Sequence, residues 1–359
     1  MMRRRDFLLQ FGGGFSAFAT SPRLYADEAG SADGGAAQIR WTFPDANPVI
    51  RPGQLHGALD EDRAAAGHVL EVDGTYRMYY WGSGTRGNVI LMAETPVGRP
   101  NDWQPRGGVL LGPQPRTEWN VLGPSFPFVV PVDGGRWHMY FVGWAERRPD
   151  GRLPNIAGMA FSEDAGLTWR YHDQPLLPLD RPYDRVATGS VSVVRVDAEY
   201  RMYYTAVGDS FDRPAGVRTG HGDRPPRIGI GYAVSADGIH WDKPLRDWLI
   251  APRGFDAEPF EYINSKPFIL RDRGRWRMFI STFGHAYRIR SLVSEDGLSW
   301  TRVPAGPDGD LGVGARGAFD DGQRSYASVV RHGDEYRLWY TGNDFGRTGM
   351  GYCTGLAGQ

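Results

Sequence analysis

One five-residue pattern constrains this chain more than any property of its composition: an aromatic residue, a basic one, Met or Leu, then two large apolar residues. It occurs five times, beginning at Tyr76, Trp137, Tyr200, Trp276 and Tyr336. Each copy follows a turn signal such as Asp73-Gly74 or Arg273-Gly274, and each turn follows an apolar run such as Pro127–Val130 or Pro267–Leu270. Apolar run, turn and aromatic run together predict a β-hairpin. The hairpins recur at intervals of 61, 63, 76 and 60 residues. Several strands per repeat at that period predict one array whose units bury each other's faces, an all-β five-bladed β-propeller.

After each hairpin a third strand is expected: Val89–Glu94, Ile156–Ser162, Ile228–Ser235, Ile289–Ser294 and Met350–Gly355. Three of these run through a Ser-x-Asp turn into Trp169, Trp241 and Trp300, which open an outer strand, and the first repeat reaches Trp103 by a longer route. In these turns Asp bonds the backbone and Gly supplies a positive φ, so the boxes read as structural. The fifth repeat has no such tail. Ile39–Phe43, an alternating segment with Trp41 and no partner beside it, supplies the missing strand and closes the ring. The expected organisation is a leader over 1–26, a linker over 27–38 and one domain over 39–357.

The leader is read from Arg3-Arg4-Arg5-Asp6-Phe7-Leu8-Leu9 and the modestly apolar stretch that follows. The run resembles a twin-arginine export signal, which implies export of the folded protein to a periplasm or beyond, with cleavage after Ala19 or Ala26. No membrane insertion is expected once the leader is removed. The net charge of −1 offers no general attraction to nucleic acid. Cys353 stands alone, which leaves no internal disulfide or cysteine-based metal cluster and reads as a small buried residue.

The approaches to the first strand of each repeat carry a recurring polar position, 14 to 17 residues before the leading aromatic. It is filled by Asp60 and Asp62, then Asn120, Asp184, Glu261 with Glu258 nearby, and Asp320 with Asp321. Carboxylates brought toward one axis raise each other's pKa, and this separates an acid from a base. The loops between second and third strands open on the same side. They bring Arg86, Glu146, Arg147, Arg148, His285, Asn343, Asp344 and Arg347, and the long segment 208–227. Guanidinium groups there suit a carboxylate, sulfate or phosphate. His56 precedes the first acidic approach and reads as a sugar or metal ligand, and Trp81, Trp144, Tyr183, Phe211, Phe260 and Tyr262 offer stacking surfaces.

The hairpins, the Ile-Gly-x-x-Tyr-Ala-x-Ser-x-Asp-Gly-x-x-Trp segment at 228–241 and the closing Trp-Tyr-Thr-Gly-Asn-Asp-Phe-Gly-Arg-Thr-Gly-Met-Gly-Tyr at 339–352 resemble the five-bladed glycosidases. That superfamily comprises arabinanases, invertases, levansucrases and mannoside phosphorylases. The resemblance implies a glycosidase with Asp62 or Asp60 as base or nucleophile, Glu261 as acid and Asp184 as the auxiliary carboxylate. Here the second repeat offers Asn120 where the superfamily has its second Asp. Substrate contacts are expected from His56, Asn120, Glu258, Asp321, Arg86, His285 and Arg347. No cofactor is expected beyond a structural calcium or similar ion on the axis, and the partner is a carbohydrate bound by a monomer. Hydrolysis, phosphorolysis and binding without turnover all remain open at this level.

Overall fold

The computed structural model describes residues 38–147, 154–256, 260–305 and 309–357. The segment read as an export signal, Arg148 and Glu258 lie outside them. The structure is all-β, built of several antiparallel sheets, none of which closes on itself. The strands are, in chain order, β1 (Ile39–Thr42); β2 (Arg63–Val72), β3 (Thr75–Gly84), β4 (Gly87–Pro96) and β5 (Gln104–Leu111); β6 (Pro124–Asp133), β7 (Arg136–Trp144), β8 (Asn155–Ser162) and β9 (Arg170–Tyr171). They continue with β10 (Ala187–Val196), β11 (Glu199–Ser210) and β12 (Pro226–Ser235); β13 (Ile263–Asp272), β14 (Arg275–Phe283), β15 (Tyr287–Ser294) and β16 (Thr301–Arg302); β17 (Ser325–His332), β18 (Glu335–Thr341) and β19 (Met350–Ala357). Each repeat of the aromatic pattern is the second strand of one antiparallel unit. The third and fourth units share a seven-stranded sheet, because Ile228 of β12 pairs in parallel with Ile263 of β13.

The hairpin turns form where the sequence supplies residues that tolerate positive φ: Asp73 and Gly74 lie at 49° and 74°, Arg273 and Gly274 at 51° and 87°. The N-terminal strand β1 pairs antiparallel with β19, placing Trp41 opposite Gly355 as the outer strand of the fifth unit. The outer tryptophans then join the units. Trp169 meets Tyr79 of the unit before it at 5.8 Å, Trp241 meets Tyr140 at 6.0 Å, Trp300 meets Tyr203 at 5.9 Å and Trp41 meets Phe279 at 6.1 Å, all edge-on. Trp103 of the first unit meets Trp339 of the fifth in the same way, at 5.8 Å. The partner is always the fourth residue of the aromatic pattern, so one sequence position carries the contact between units throughout.

Toward the middle, first-strand backbone N–H groups donate to hydroxyls of a neighbouring unit: Val69 to Ser328 and Ile269 to Ser192 on first strands, Lys266 to Thr205 and Tyr326 to Ser281 on second strands. Every first strand also carries a β-bulge at the same place, marked by register shifts at Ala65/His68, Ser125/Phe128, Gly189/Val191, Ser265/Phe268 and Ser325/Ser328. Three of the bulges place a non-glycine residue at positive φ: Phe126 at 51°, Lys266 at 47° and Tyr326 at 62°. The bulges turn side chains inward, where units that are not sequence neighbours meet. Tyr326 of the fifth unit lies edge-on to Phe126 of the second at 5.0 Å, and His68 of the first lies 5.6 Å from Phe268 of the fourth.

The Ser-x-Asp boxes are turn devices at the far end of the units. The Asp296 carboxylate accepts from the Leu298 and Ser299 N–H groups, and Asp237 and Asp164 repeat the arrangement. These bonds hold the Asp164 carboxyl down to about 2 despite the opposing effect of burial, and Asp237 and Asp296 lower still.

Candidate active site

Asp60, Asp184 and Asp320 are buried, and each accepts a hydrogen bond from the tyrosine hydroxyl twenty residues later: Tyr80 at 2.7 Å, Tyr204 at 2.8 Å and Tyr340 at 2.8 Å. That tyrosine is the fifth residue of the aromatic pattern, so the bond pins the approach of the first strand beneath the second strand of the same unit. Burial lifts these phenols far above their ordinary range, and the neighbouring carboxylate adds to the effect for Tyr80 and Tyr204. They are hydrogen-bond donors throughout the working pH range.

Further partners complete each tie. Asp184 also takes the buried Lys243 ammonium at 2.7 Å, and Asp320 takes Arg324 at 2.6 Å. In the first unit the Tyr80 proton goes to Asp60, so the hydroxyl accepts from His56 Nδ1 at 2.8 Å. His56 therefore supports Asp60, and burial lowers its pKa. In the second and fourth units the fifth pattern residue is Phe141 or Ile280, and Asn120 or Glu261 stands in place of the Asp. Asn120 donates to Gln114 at 2.8 Å, and Glu261 is held by Arg290 and by Arg302 at 2.7 Å, the latter on outer strand β16. Asp60, Asp184, Glu261 and Asp320 thus each have partners within their own units. Buried carboxylates need compensating donors, and each of these acids finds them close by.

Asp62 differs. It is exposed at the start of β2, with its N–H donated to Ser83 O at 2.9 Å. Beside it, Arg63 is 8% exposed and lies 4.5 Å over the Trp81 ring. Its terminal nitrogen donates to Asp344 O at 3.4 Å, and its Nε has no partner among the described residues. The turn at Asn343–Gly346 brings Asp344 and Arg347 to this spot. Gly346 has φ of 86°, and a Cβ there would strike the Ala64 carbonyl, so glycine lets the turn press onto β2. Asp321 fixes the base of the turn by accepting from Asn343 at 2.8 Å and from the Gly317 N–H. Burial and the nearby Arg347 push the Arg63 pKa down to about 10, with Tyr326, Asp62 and Asp344 acting in the other direction.

Around this point the mouth is aromatic. Tyr326 contacts Phe126, Tyr287 and Phe345, and Trp144 joins the same cluster. A second cluster gathers Tyr262, Phe255, Phe260 and Phe283, with His285 edge-on to Phe260 at 4.4 Å. His221, from the 208–227 segment, is buried against Tyr262 and Phe283, and burial lowers its pKa to about 4. Arg86 is exposed on its loop. Deeper in, Lys266 is 1% exposed; its ammonium lies 5.8 Å over the Phe268 ring and has no hydrogen-bond partner among the described residues. Burial brings its pKa down to about 7, and both burial and Lys266 hold His68 well below its ordinary value. Lys266 thus lies where the first and fourth units meet, and no group of three His, Cys, Asp or Glu side chains assembles for a metal among the described residues.

Residues with the strongest functional geometry, Arg63, Phe126, Lys266 and Tyr326, were not singled out by sequence. Phe126, Lys266 and Tyr326 share one signal, a position 10 or 11 residues before the leading aromatic, at the bulge.

No family model matches the chain. The uncharacterised protein Rv1502 of Mycobacterium tuberculosis strain H37Rv is 30% identical over 244 residues, covering 67% of this chain and 74% of that protein. The uncharacterised protein MT1551 of strain CDC 1551 aligns over the same extent. Among solved structures, a glycoside hydrolase superposes with a TM-score of 0.67 at 17% identity, over 89% of this chain and 92% of that one. A structure from the GH130 family of mannoside phosphorylases, a family that contains glycoside hydrolases targeting beta-1,2 mannosidic linkages in Candida mannan, gives 0.63 at 14% identity, over 89% and 94%. A thermostable family-43 glycoside hydrolase gives 0.53 at 18% identity, over 86% and 91%. The fold is therefore that of solved glycoside hydrolases.

Proposed function

The chain belongs to the family of the uncharacterised mycobacterial protein Rv1502, and we propose that it is an enzyme cleaving glycosidic bonds of an oligo- or polysaccharide. The five units are read as blades of a propeller closed by β1. The tryptophan contacts that join each unit to the one before it, and the first to the fifth, support this reading. One observation carries the function: the exposed carboxylates Asp62 and Asp344 flank a buried arginine at the start of the first strand, beside the half-buried Trp144 and Phe345, whose rings suit stacking on a sugar.

In this mechanism one of the two carboxyls protonates the leaving oxygen, and the other activates water or attacks the anomeric carbon. Asp62 keeps the role of base or nucleophile. Asp344 takes the acid role from Glu261, whose two oxygens are occupied by arginines. Asp60, Asp184 and Asp320 position the strands that present the site. A carboxyl separation of about 5–5.5 Å would give retention of configuration and about 6.5–9.5 Å inversion. Export through the twin-arginine signal is part of the same reading, and amino-terminal sequencing of the mature protein tests it.

The test of function is turnover of aryl glycosides and natural oligosaccharides by wild type, Asp62→Asn and Asp344→Asn, with and without phosphate. Loss of about 10²–10⁴-fold in kcat/KM in both variants, with melting temperature unchanged, supports the assignment. Phosphate-dependent turnover would convert the reading to a phosphorylase. Sugar binding with no turnover in the wild type would leave a binding protein.

A further inference from the structure

The charge arrangement around Arg63 says something about the substrate that the fold does not. A guanidinium removed from water ordinarily has a carboxylate on its fork. Arg63 is 8% exposed, yet its only side-chain hydrogen bond to a described residue is the 3.4 Å contact with a backbone carbonyl, and its buried Nε is unpartnered among the described residues. Trp81 fixes the plane of the group from one side. Arg347 stands near enough to oppose its charge, and no ion pair of Arg347 with a described residue occupies it. Two cations held near each other, one of them desolvated, form a receptor for a planar oxyanion.

Charge balance selects among oxyanions. Asp62 and Asp344 lie within electrostatic reach of Arg63, so the four side chains sum to zero. A dianionic phosphate would meet two carboxylates at close quarters, whereas a single carboxylate can lie on the arginine fork with its negative charge directed away from them.

We infer that Arg63, assisted by Arg347, binds the carboxylate of an acidic sugar, and that the substrate is a uronic-acid-containing saccharide. This rests on the reading of the mouth as a saccharide site. Arg63 provides the planar fork, Trp81 holds it flat, and the turn pressed onto β2 through Gly346 delivers Arg347 from the fifth unit.

Calorimetric titration of the intact protein with glucuronate, galacturonate, mannuronate and oligogalacturonate, against glucose, galactose, mannose and inorganic phosphate, tests the inference. The expected result is that at least one acidic ligand binds about tenfold or more tightly than its neutral counterpart. Arg63→Lys, which keeps the charge and loses the fork, should lower that acid-over-neutral ratio by about 10–100-fold. The exposed Arg347→Ala should lower it by a smaller factor. Equal binding of acidic and neutral ligands, no binding of any acidic ligand, or phosphate binding more tightly than every uronate overturns the inference. Turnover of neutral glycosides by a protein indifferent to uronates would sink the inference and leave the proposed function standing. Uronate binding that depends on Arg63 without any turnover would do the reverse.

Discussion

Asp60 and Asp62 stand two residues apart on one approach and belong to opposite regions of the molecule. Asp60 lies in the interior of the first unit, its oxygens engaged by Tyr80 and the His56 N–H. Asp62 lies at the mouth in solvent, with no side-chain hydrogen bond among the described residues. The same division runs through the fold, with Asp184, Glu261 and Asp320 on the interior side and Asp344 on the mouth side. The comparison teaches that a carboxylate recurring from unit to unit, as Asp60, Asp184 and Asp320 do, is a feature of the unit. A carboxylate that breaks the recurrence is available for chemistry.

Variants should separate the two populations. The largest effect is expected from Lys243→Met, which strips the buried Asp184 of its cation and should cost about 3–5 kcal/mol in urea unfolding. Asp62→Asn, by contrast, should stay within about 0.5 kcal/mol of wild type. Equal losses would erase the distinction between interior and mouth.

Next comes the central lysine. Its pKa is about 7 when folded and 10.5 in the ordinary state, so between those values the unfolded chain holds a proton that the folded one lacks. Stability should therefore rise with pH from about 7 to 10.5, at up to about 1.4 kcal/mol per pH unit from this group. Its destabilising effect is greatest below about pH 7. Unfolding midpoints at pH 7 and 9 should show a rise that Lys266→Met abolishes; a variant that keeps the slope would show that the lysine is not its source.

A smaller cost, about 1–2 kcal/mol, is expected when Tyr204→Phe or Tyr340→Phe removes one donor from an interior acid that keeps its cation. The smallest belongs to the far end. Asp296→Ala should cost under about 1 kcal/mol near neutrality. Because the folded carboxyl sits below its ordinary value, any stabilisation it gives is complete above about pH 4 and fades as pH falls further. Thermal melts from pH 6 to pH 2 would show the difference from wild type shrinking.

The first three strands of each unit, the hairpin turns, the box turns and the completion of the fifth unit by Ile39–Thr42 were legible in the sequence; the outer strand expected at Trp241 is reduced to an isolated bridge between Val234 and Asp242. Each follows from local chemistry: period-two burial, residues that tolerate positive φ, and a tryptophan that needs a partner. The direction of the acids was not legible by the same means. Asp60, Asp184 and Asp320 precede their strands, where alternation does not fix which way a side chain points. A usable signal was nonetheless present. Asp occurs twenty residues before the last pattern residue when that residue is Tyr80, Tyr204 or Tyr340, and gives way to another residue when it is Phe141 or Ile280. Arg63 and Lys266 were hidden for another reason. Their meaning depends on which units meet across the centre, and bulges interrupt the alternation that would have pointed them inward.

The pairing of β1 with β19 also bears on how the chain folds. Asn47 and Tyr352, 305 residues apart, exchange two hydrogen bonds, so the fifth unit is incomplete until nearly the whole described chain has been gathered. Closing a loop of that size costs on the order of 5 kcal/mol in chain entropy and belongs to the slow, non-local class of folding steps. A circular permutant that links residue 357 to residue 39 and opens the chain in the exposed loop at Thr85-Arg86 would make that pairing local. It should fold faster than the natural chain order while presenting the same surface.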